Sequence, residues 1–248
     1  VNAMGSLIDE QDPYDHLMSV HGHGDFVFRR SDWVDFAMYQ SWDEAGGHDF
    51  MLNNRRKQAD SGNPKPQINE EYGYEDHYPT KWGGGRKSPS RSADNRRRLA
   101  WGMIMAGGYQ TAGERADQGT GAGSDSGGGW INGRGDSKMI MLPMLARIGD
   151  FVKQVDYWTL EPDDPIVQTA DQSPAYCLTN HNDTSLVYLT QGVAFTLQTS
   201  DGQYQLRWYN PRTGKWQSPS LEQSREGRLQ IAAPEDNDDW AVLIQKRS

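Results

Sequence analysis

The sequence has little cysteine, no long apolar run and no excess of positive charge. Its single cysteine, Cys177, cannot form a disulfide within the chain, and no CxxC pattern indicates a zinc site. No stretch reaches the roughly 20 apolar residues of a membrane-spanning helix, so we expect no membrane partner. The formal net charge is −9 over 248 residues. This balance disfavours a nucleic-acid partner, because phosphate binding needs clustered Lys and Arg.

The sequence also lacks the signatures of several common sites. No G-x-S-x-G elbow supports Ser-His-Asp catalysis, and no Gly-rich phosphate loop follows a predicted strand. The basic cluster Arg96–Arg98 precedes the apolar run Leu99–Met105 and is typical of the solvated first turn of a helix. His21 and His23 flank Gly22, but no further ligands have zinc-like spacing. We therefore expect neither a metal nor a cofactor.

The first 150 residues alternate predicted strands with predicted helices. Val1–Ile8 has the spacing of an amphipathic helix. The predicted strands are His16–His21, Asp35–Trp42, Pro66–Glu71 and Gly108–Glu114. The predicted helices are Asp49–Asp60, Asp94–Gly107 with Asp94 as N-cap, and Met139–Val155. Such alternation favours a parallel sheet wrapped by helices, and four strand–helix units make half of an eight-stranded barrel.

The pattern changes after Pro162. Short alternating strands separated by turn residues predict a small antiparallel β-sandwich from Gln168 onward. The fold class is therefore α/β, the C-terminal half of a (β/α)8 TIM barrel followed by a small all-β antiparallel sandwich. We place the barrel half at residues 1–160 and the sandwich at residues 166–248. Trp208 and Trp240 are expected in the core.

Polar and aromatic residues collect at the predicted carboxyl ends of the strands, where barrel enzymes place their active sites. They are His21, Gln40, Trp42, Glu70, Glu71 and Glu114. The densest segment is Pro66–Asp76 (PQINEEYGYED). Its carboxylates suit glycosidic hydrolysis, with a solvated acidic turn as the alternative. Because neighbouring residues of a regular strand point to opposite sides, only one of Glu70 and Glu71 is expected to face the cleft.

Several segments, taken in order, resemble a known family. DPYDHLMSVH, YQSW, KPQINEEYGYED, RRRLAWGMIMAGGYQTAGE and MLARIGDFVKQVDYWTLEPDD look like the second half of the apiosidase-like glycoside hydrolase barrel. The tail, with LVYLTQG, YQLRWYNPRTGKW and DDWAVLIQ, resembles the small C-terminal sandwich of the same proteins, which carries a collagen-binding label. Together the matches cover most of residues 9–246. The tail itself shows no collagen-specific feature.

The resemblance implies site residues. The family pattern K-P-x-x-x-x-E-x-x-Y-E falls on Lys65, Pro66, Glu71, Tyr74 and Glu75. It makes Glu71 the catalytic nucleophile of a retaining enzyme and Glu75 a second carboxylate. The four strands would be numbers five to eight. The acid/base carboxylate would belong to strand four, before Val1, so the N-terminal half of the same barrel is the implied partner.

Two functions stay open. The first is a retaining glycoside hydrolase, secreted or periplasmic, acting on a plant or algal polysaccharide. The second is a non-catalytic carbohydrate- or matrix-binding protein, which exposed aromatics among Trp208, Tyr209 and Trp216 would favour. For the hydrolase, the expected substrate-binding residues are His21, Gln40, Trp42, Tyr74, Glu75, Glu114 and Trp130. Trp130 lies in the Gly-rich segment Gly119–Gly135, predicted to form a loop over the cleft.

Overall fold

The computed structural model describes residues 1–22, 25–41, 47–72, 93–111, 141–234 and 236–247. Its described helices are α1 (Asn2–Gln11), α2 (Gly47–Asp60), α3 (Ala93–Met105) and α4 (Met141–Val152). The first part of the chain also contains β1 (His21–Gly22), β2 (Ala37–Gln40), β3 (Gln67–Glu71) and β4 (Tyr109–Gln110). From β2 onward strands and helices alternate as the sequence predicts, but the described residues 25–36 form no helix between β1 and β2.

The four strands form one parallel sheet in the order β1-β2-β3-β4. The prediction of a parallel strand over Pro66–Glu71 is confirmed by β3, which lies inside the sheet. Helix α2 ends as predicted, because Gly62 adopts a left-handed φ of 77° two residues beyond Asp60. Helix α1 confirms the helical spacing of Val1–Ile8 and extends to Gln11.

Two local predictions in this part are wrong. Of the strand expected over His16–His21, only His21 pairs with a neighbouring strand. Backbone N–H groups that precede it are hydrogen-bonded to side chains instead. The backbone N–H of His16 donates to Asp12 Oδ2 (2.7 Å), and that of Met18 donates to Asp35 Oδ2 (2.6 Å). Leu17, which looked like a strand residue, is 77% exposed. Asp94 is not an N-cap, since α3 already begins at Ala93; its carboxylate pairs with Arg97.

The basic cluster also differs from its prediction. Arg96 and Arg97 are 0% and 1% exposed, so the first turns of α3 are not a solvated basic face. Arg96 Nη1 donates to the carbonyl of Tyr72 (3.0 Å), just after β3. A buried guanidinium needs such partners to offset its lost hydration. The cluster is therefore structural and holds the chain that leaves β3.

The second part of the chain forms antiparallel sheets, as predicted. One sheet has the order β11-β10-β14-β8-β7-β5, with β12 paired to β10; the other has the order β13-β9-β6. The strands are β5 (Glu161–Pro162), β6 (Val167–Thr169), β7 (Ala175–Thr179), β8 (Thr184–Leu189), β9 (Phe195–Gln198), β10 (Gly202–Asn210), β11 (Lys215–Trp216), β12 (Ser220–Ser224), β13 (Arg228–Ile231) and β14 (Trp240–Lys246).

Both sheets contribute to one apolar core. It includes Val187 and Val242 from the larger sheet and Leu197 and Leu229 from the smaller one. Trp208 and Trp240 belong to this core, so their predicted burial is confirmed. The opposite face of the larger sheet packs against Trp101 and Phe151. The side chains of these core clusters are therefore almost entirely aliphatic or aromatic.

By internal contacts the chain divides into two compact units. The first comprises Val1–Leu99 and Gly108–Met141, and the second comprises Ala100–Gly107 and Leu142–Ser248. The predicted domain boundary at residues 160–166 stays a prediction. In the part of the chain that the structure describes, no helix is both long enough and apolar enough to span a membrane.

Candidate active site

The carboxyl ends of the parallel strands carry polar side chains. His21 belongs to β1, Gln40 ends β2, Glu70 and Glu71 end β3, and Gln110 ends β4. Because all three strand pairings are parallel, these ends lie along one edge of the sheet. The structure thus brings His21, Gln40 and the two glutamates to the same edge.

Strand β3 is irregular at this edge. Tyr39 of β2 faces Asn69, but the next residue, Gln40, faces Glu71, so Glu70 has no opposite residue on β2. An extra residue of this kind forms a β-bulge, which breaks the strict alternation of side chains. The expectation that only one of Glu70 and Glu71 serves the cleft assumed a regular strand, and that assumption is wrong.

The ring of His21 lies between two acceptors. Its Nδ1 forms an ion pair with the carboxylate of Glu70, and its Nε2 is 3.0 Å from Gln40 Oε1. A neutral imidazole carries one N–H, whereas the imidazolium carries two, so only the charged ring can donate to both. The pKa of His21 is accordingly raised, first by the bond to Gln40 and then by the charges of Glu70 and Glu71, although partial burial lowers it.

Backbone contacts fix the end of β3. The side chain of Asn69 is 1% exposed and bridges to β2: its Nδ2 donates to the carbonyl of Ser41, and its Oδ1 accepts from the N–H of Ser41, both at 3.2 Å. On the other side, Thr111 Oγ1 donates to the carbonyl of Glu70 (2.5 Å). The two glutamates are therefore presented from a backbone that is held on both sides.

Sequence reasoning missed three of these residues, namely Ser41, Asn69 and Thr111. Ser41 and Asn69 stand directly beside predicted site residues, and Thr111 lies in a predicted strand, but these are weak signals. Their role depends on hydrogen bonds between strands, and neither periodicity nor local composition reports such bonds. Lys65, which matches the family pattern, donates from Nζ to the carbonyl of Val34. It therefore contacts the backbone that precedes β2 and not the carboxyl edge of the sheet.

Five predicted site residues lie outside the described residues: Trp42, Tyr74, Glu75, Glu114 and Trp130. The predicted loop at Gly119–Gly135 also lies outside them. Within the described ranges, no group of three or more His, Cys, Asp or Glu side chains could hold a metal ion. The described site therefore consists of a histidine, an amide and two carboxylates at a sheet edge.

Comparison with known families agrees with this arrangement. Residues 1–113 match the family model described as "Apiosidase-like, catalytic domain", and residues 162–245 match that of the "Putative collagen-binding domain of a collagenase". The first part of the chain is thus similar to the catalytic domains of that family, and the last part is similar to the second family's domain. The resemblance drawn from the sequence motifs is thus confirmed. A comparison with curated proteins found no match.

Solved structures show the same fold. One described as "Glycoside hydrolase" superposes with a TM-score of 0.75 at 17% identity, covering 98% of this chain and 60% of its own. A glycoside hydrolase family 5 structure from Bacteroides vulgatus ATCC 8482 superposes with a TM-score of 0.73 at 19% identity, covering 99% of this chain and 58% of its own. The chain thus spans less than two thirds of the length of either structure.

Proposed function

We propose that this chain is the C-terminal part of a retaining glycoside hydrolase that acts on a plant or algal polysaccharide. The observation that carries the proposal is the pair of carboxylates at the carboxyl end of β3. Carboxylates at this end of a parallel strand are the groups that glycoside hydrolysis requires. The apiosidase-like match of residues 1–113 and the fold shared with glycoside hydrolases support it.

The same proposal assigns β1 to β4 to strands five to eight of a (β/α)8 barrel. Among the described strands, β1 pairs only with β2, and β4 pairs only with β3. Helix α1 exposes Met4, Leu7 and Ile8, each at least 50% accessible. A sheet with open edges and an apolar helix face fits a partner that completes the barrel. We assign that role to the N-terminal half of the same barrel.

The mechanism is a double displacement. The Glu71 carboxylate attacks the anomeric carbon, and the bond to the leaving oxygen breaks as an acid from the N-terminal half protonates that oxygen. A covalent glycosyl–enzyme ester results. The same group, now a base, takes a proton from water, which attacks the anomeric carbon and releases Glu71 as a carboxylate. Atoms and charge balance with water as the only co-reactant.

The neighbours of Glu71 suit this role. The contacts with Gln40 and Glu70 raise the pKa of His21, and the ring, when protonated, places a positive charge near the carboxylate that must be ionised to attack. His21 and Gln40 could also donate or accept hydrogen bonds to sugar hydroxyls. Trp42, Tyr74, Glu75, Glu114 and Trp130 complete the proposed substrate site on sequence grounds. No cofactor enters the mechanism.

The alternative of a non-catalytic binding protein has less support. It would be favoured by exposed aromatics on the antiparallel sheets, but Trp208 and Tyr209 are buried. Trp216 is partly buried and stacks on Phe151, with ring centroids 5.5 Å apart. Because a polysaccharide is too large to cross a membrane unaided, we place the hydrolase outside the cytoplasm, secreted or periplasmic.

The test is turnover by a longer polypeptide that carries this chain behind a complete barrel. Glu71→Gln should abolish hydrolysis of plant and algal polysaccharides, by several orders of magnitude, because the amide cannot act as the nucleophile. Stability should change by no more than about 0.5 kcal/mol. Glu10→Gln, an exposed substitution in α1, is the matched control and should retain full activity. Equal activity of the two variants would reject Glu71 as nucleophile.

A further inference from the structure

One end of the antiparallel region contains a polar cavity that the proposed catalysis does not use. The cavity is about 160 Å³ and lies between the β7–β8 loop and the segment that joins β9 to β10. Its lining includes Thr179, Ser185 and Tyr204, which are only 3%, 8% and 2% exposed. Buried hydroxyls are unexpected beside a core made of apolar side chains. We call this feature the hydroxyl cavity.

The hydroxyl groups of the cavity donate their hydrogen bonds to other groups of the protein. Ser185 Oγ donates to Thr179 Oγ1 (3.0 Å), and Tyr204 Oη donates to the carbonyl of Ser200 (2.9 Å). With the hydrogen of Tyr204 so engaged, the 2.8 Å contact between its Oη and Thr199 Oγ1 is donated by Thr199. A hydroxyl has one hydrogen but two lone pairs. Ser185 and Thr199 therefore retain acceptor capacity beside the cavity.

The charges around the cavity are of both signs. Asp183 lines it, and Lys246 Nζ donates to the lining residue Ser200 (2.7 Å). Opposite charges at one rim give little net attraction for either an anion or a cation. Acceptors without net charge select a neutral ligand that donates several hydrogen bonds, and sugars are compact molecules of this kind.

The loop beside the cavity is held in an unusual conformation. The backbone of His181 has a left-handed φ of 55°, a conformation that residues other than glycine seldom adopt. Asn180 Oδ1 accepts from the backbone N–H groups of Asn182, Asp183 and Thr184, at 3.0 to 3.1 Å. These bonds hold the loop beside the cavity in one conformation.

We propose that the hydroxyl cavity binds one neutral sugar ring, whose hydroxyls donate to Ser185 and Thr199 while Ile166 contacts its apolar face. The ligand is either a free monosaccharide or the terminal residue of a glycan. The cavity holds a single ring rather than a chain, because it is small and closed by loops on two sides. This inference does not depend on the catalytic role of Glu71.

Nuclear magnetic resonance of the isotope-labelled chain tests the proposal. D-Glucose, D-galactose, D-xylose, L-arabinose, L-rhamnose and their methyl glycosides are titrated to about 50 mM, since a single ring is expected to bind in the millimolar range. At least one should give saturable shifts in residues 180–185 and 199–204. Binding of a methyl glycoside identifies a terminal residue as the ligand, whereas binding of the free sugar alone identifies a monosaccharide.

Matched variants locate the site. Thr199→Val keeps the shape of the side chain but removes the hydroxyl, and should weaken binding about tenfold or more. Gln198→Ala, at the exposed rim, leaves the buried hydroxyls in place and should also weaken binding. Thr196→Val, on β9 three residues before Thr199 and outside the cavity lining, should leave the affinity unchanged. No saturable shift with any probe, shifts confined to other residues, or equal effects of Thr199→Val and Thr196→Val would overturn the proposal.

Discussion

The parallel sheet and the antiparallel sheets bury different kinds of side chain. Around β2 and β3, the buried residues include Gln58, Gln67 and Asn69, and each donates a hydrogen bond to a neighbouring element or strand end. In the antiparallel region, the buried residues are mainly Leu, Val, Ile and aromatic side chains. The first region thus combines buried apolar side chains, such as Phe26 and Trp33, with directed polar contacts, whereas the second is held mainly by apolar packing.

The difference indicates where function resides. Apolar packing is non-directional and tolerates exchange of similar side chains, so it specifies stability more than the position of one atom. Directed hydrogen bonds fix positions, as Asn69 and Thr111 do for the backbone that carries Glu70 and Glu71. The polar interior of the first region therefore fits a site, and the hydroxyl cavity is the exception within the second.

Loss of an aromatic from the apolar region should have the largest effect on stability. Trp101 is fully buried and stacks on Tyr188, with ring centroids 5.2 Å apart and an angle of 8°. Trp101→Ala should lower the free energy of unfolding by about 3–5 kcal/mol. Trp101→Phe should cost much less, because Trp101 Nε1 has no hydrogen-bond partner among the described residues. Urea denaturation measures both, and equal losses would contradict the packing account.

Loss of a directed contact in the parallel region should have an intermediate effect. Asn69→Ala leaves the backbone N–H and carbonyl of Ser41 without their side-chain partners and should cost about 1–3 kcal/mol. The exposed Asn53 of α2 provides the control, and Asn53→Ala should change stability by no more than about 0.5 kcal/mol. The same denaturation measurement applies. A cost for Asn69→Ala as small as that of the control would show that the bridge to Ser41 does not hold the edge.

The smallest expected effect is a shift in one titration. Because the pKa of His21 is raised above 6.5, the contacts of the charged ring contribute fully below that pH and are lost as pH rises through the folded pKa. Gln40→Ala and Glu70→Gln should each lower this pKa, and an NMR titration of the ring measures it. Glu10→Gln should leave it unchanged. An unaltered pKa in Glu70→Gln would mean that the ion pair with Glu70 does not form in solution.

Much of the fold could be predicted because hydrophobic periodicity reports local structure. It located α2, β3 and the core position of Trp240. It could not foresee that Arg96 is buried, since the bond to the Tyr72 carbonyl joins residues distant in sequence. Nor could it foresee the bulge at Glu70, because bulges depend on the register between two strands. The family resemblance identified Glu71 as a site residue, but only the structure showed the ion pair between Glu70 and His21.

The most direct test is covalent trapping on the longer polypeptide proposed above, in which a complete barrel would precede the antiparallel sheets. A fluorinated glycoside with a dinitrophenolate leaving group forms a slow glycosyl–enzyme, and peptide mass spectrometry locates the ester. Because retaining hydrolysis proceeds through such an ester, the label should lie on Glu71 and should be absent from the Glu71→Gln variant. A label on Glu70 or Glu75 while Glu71→Gln remains active would contradict the assignment of the nucleophile.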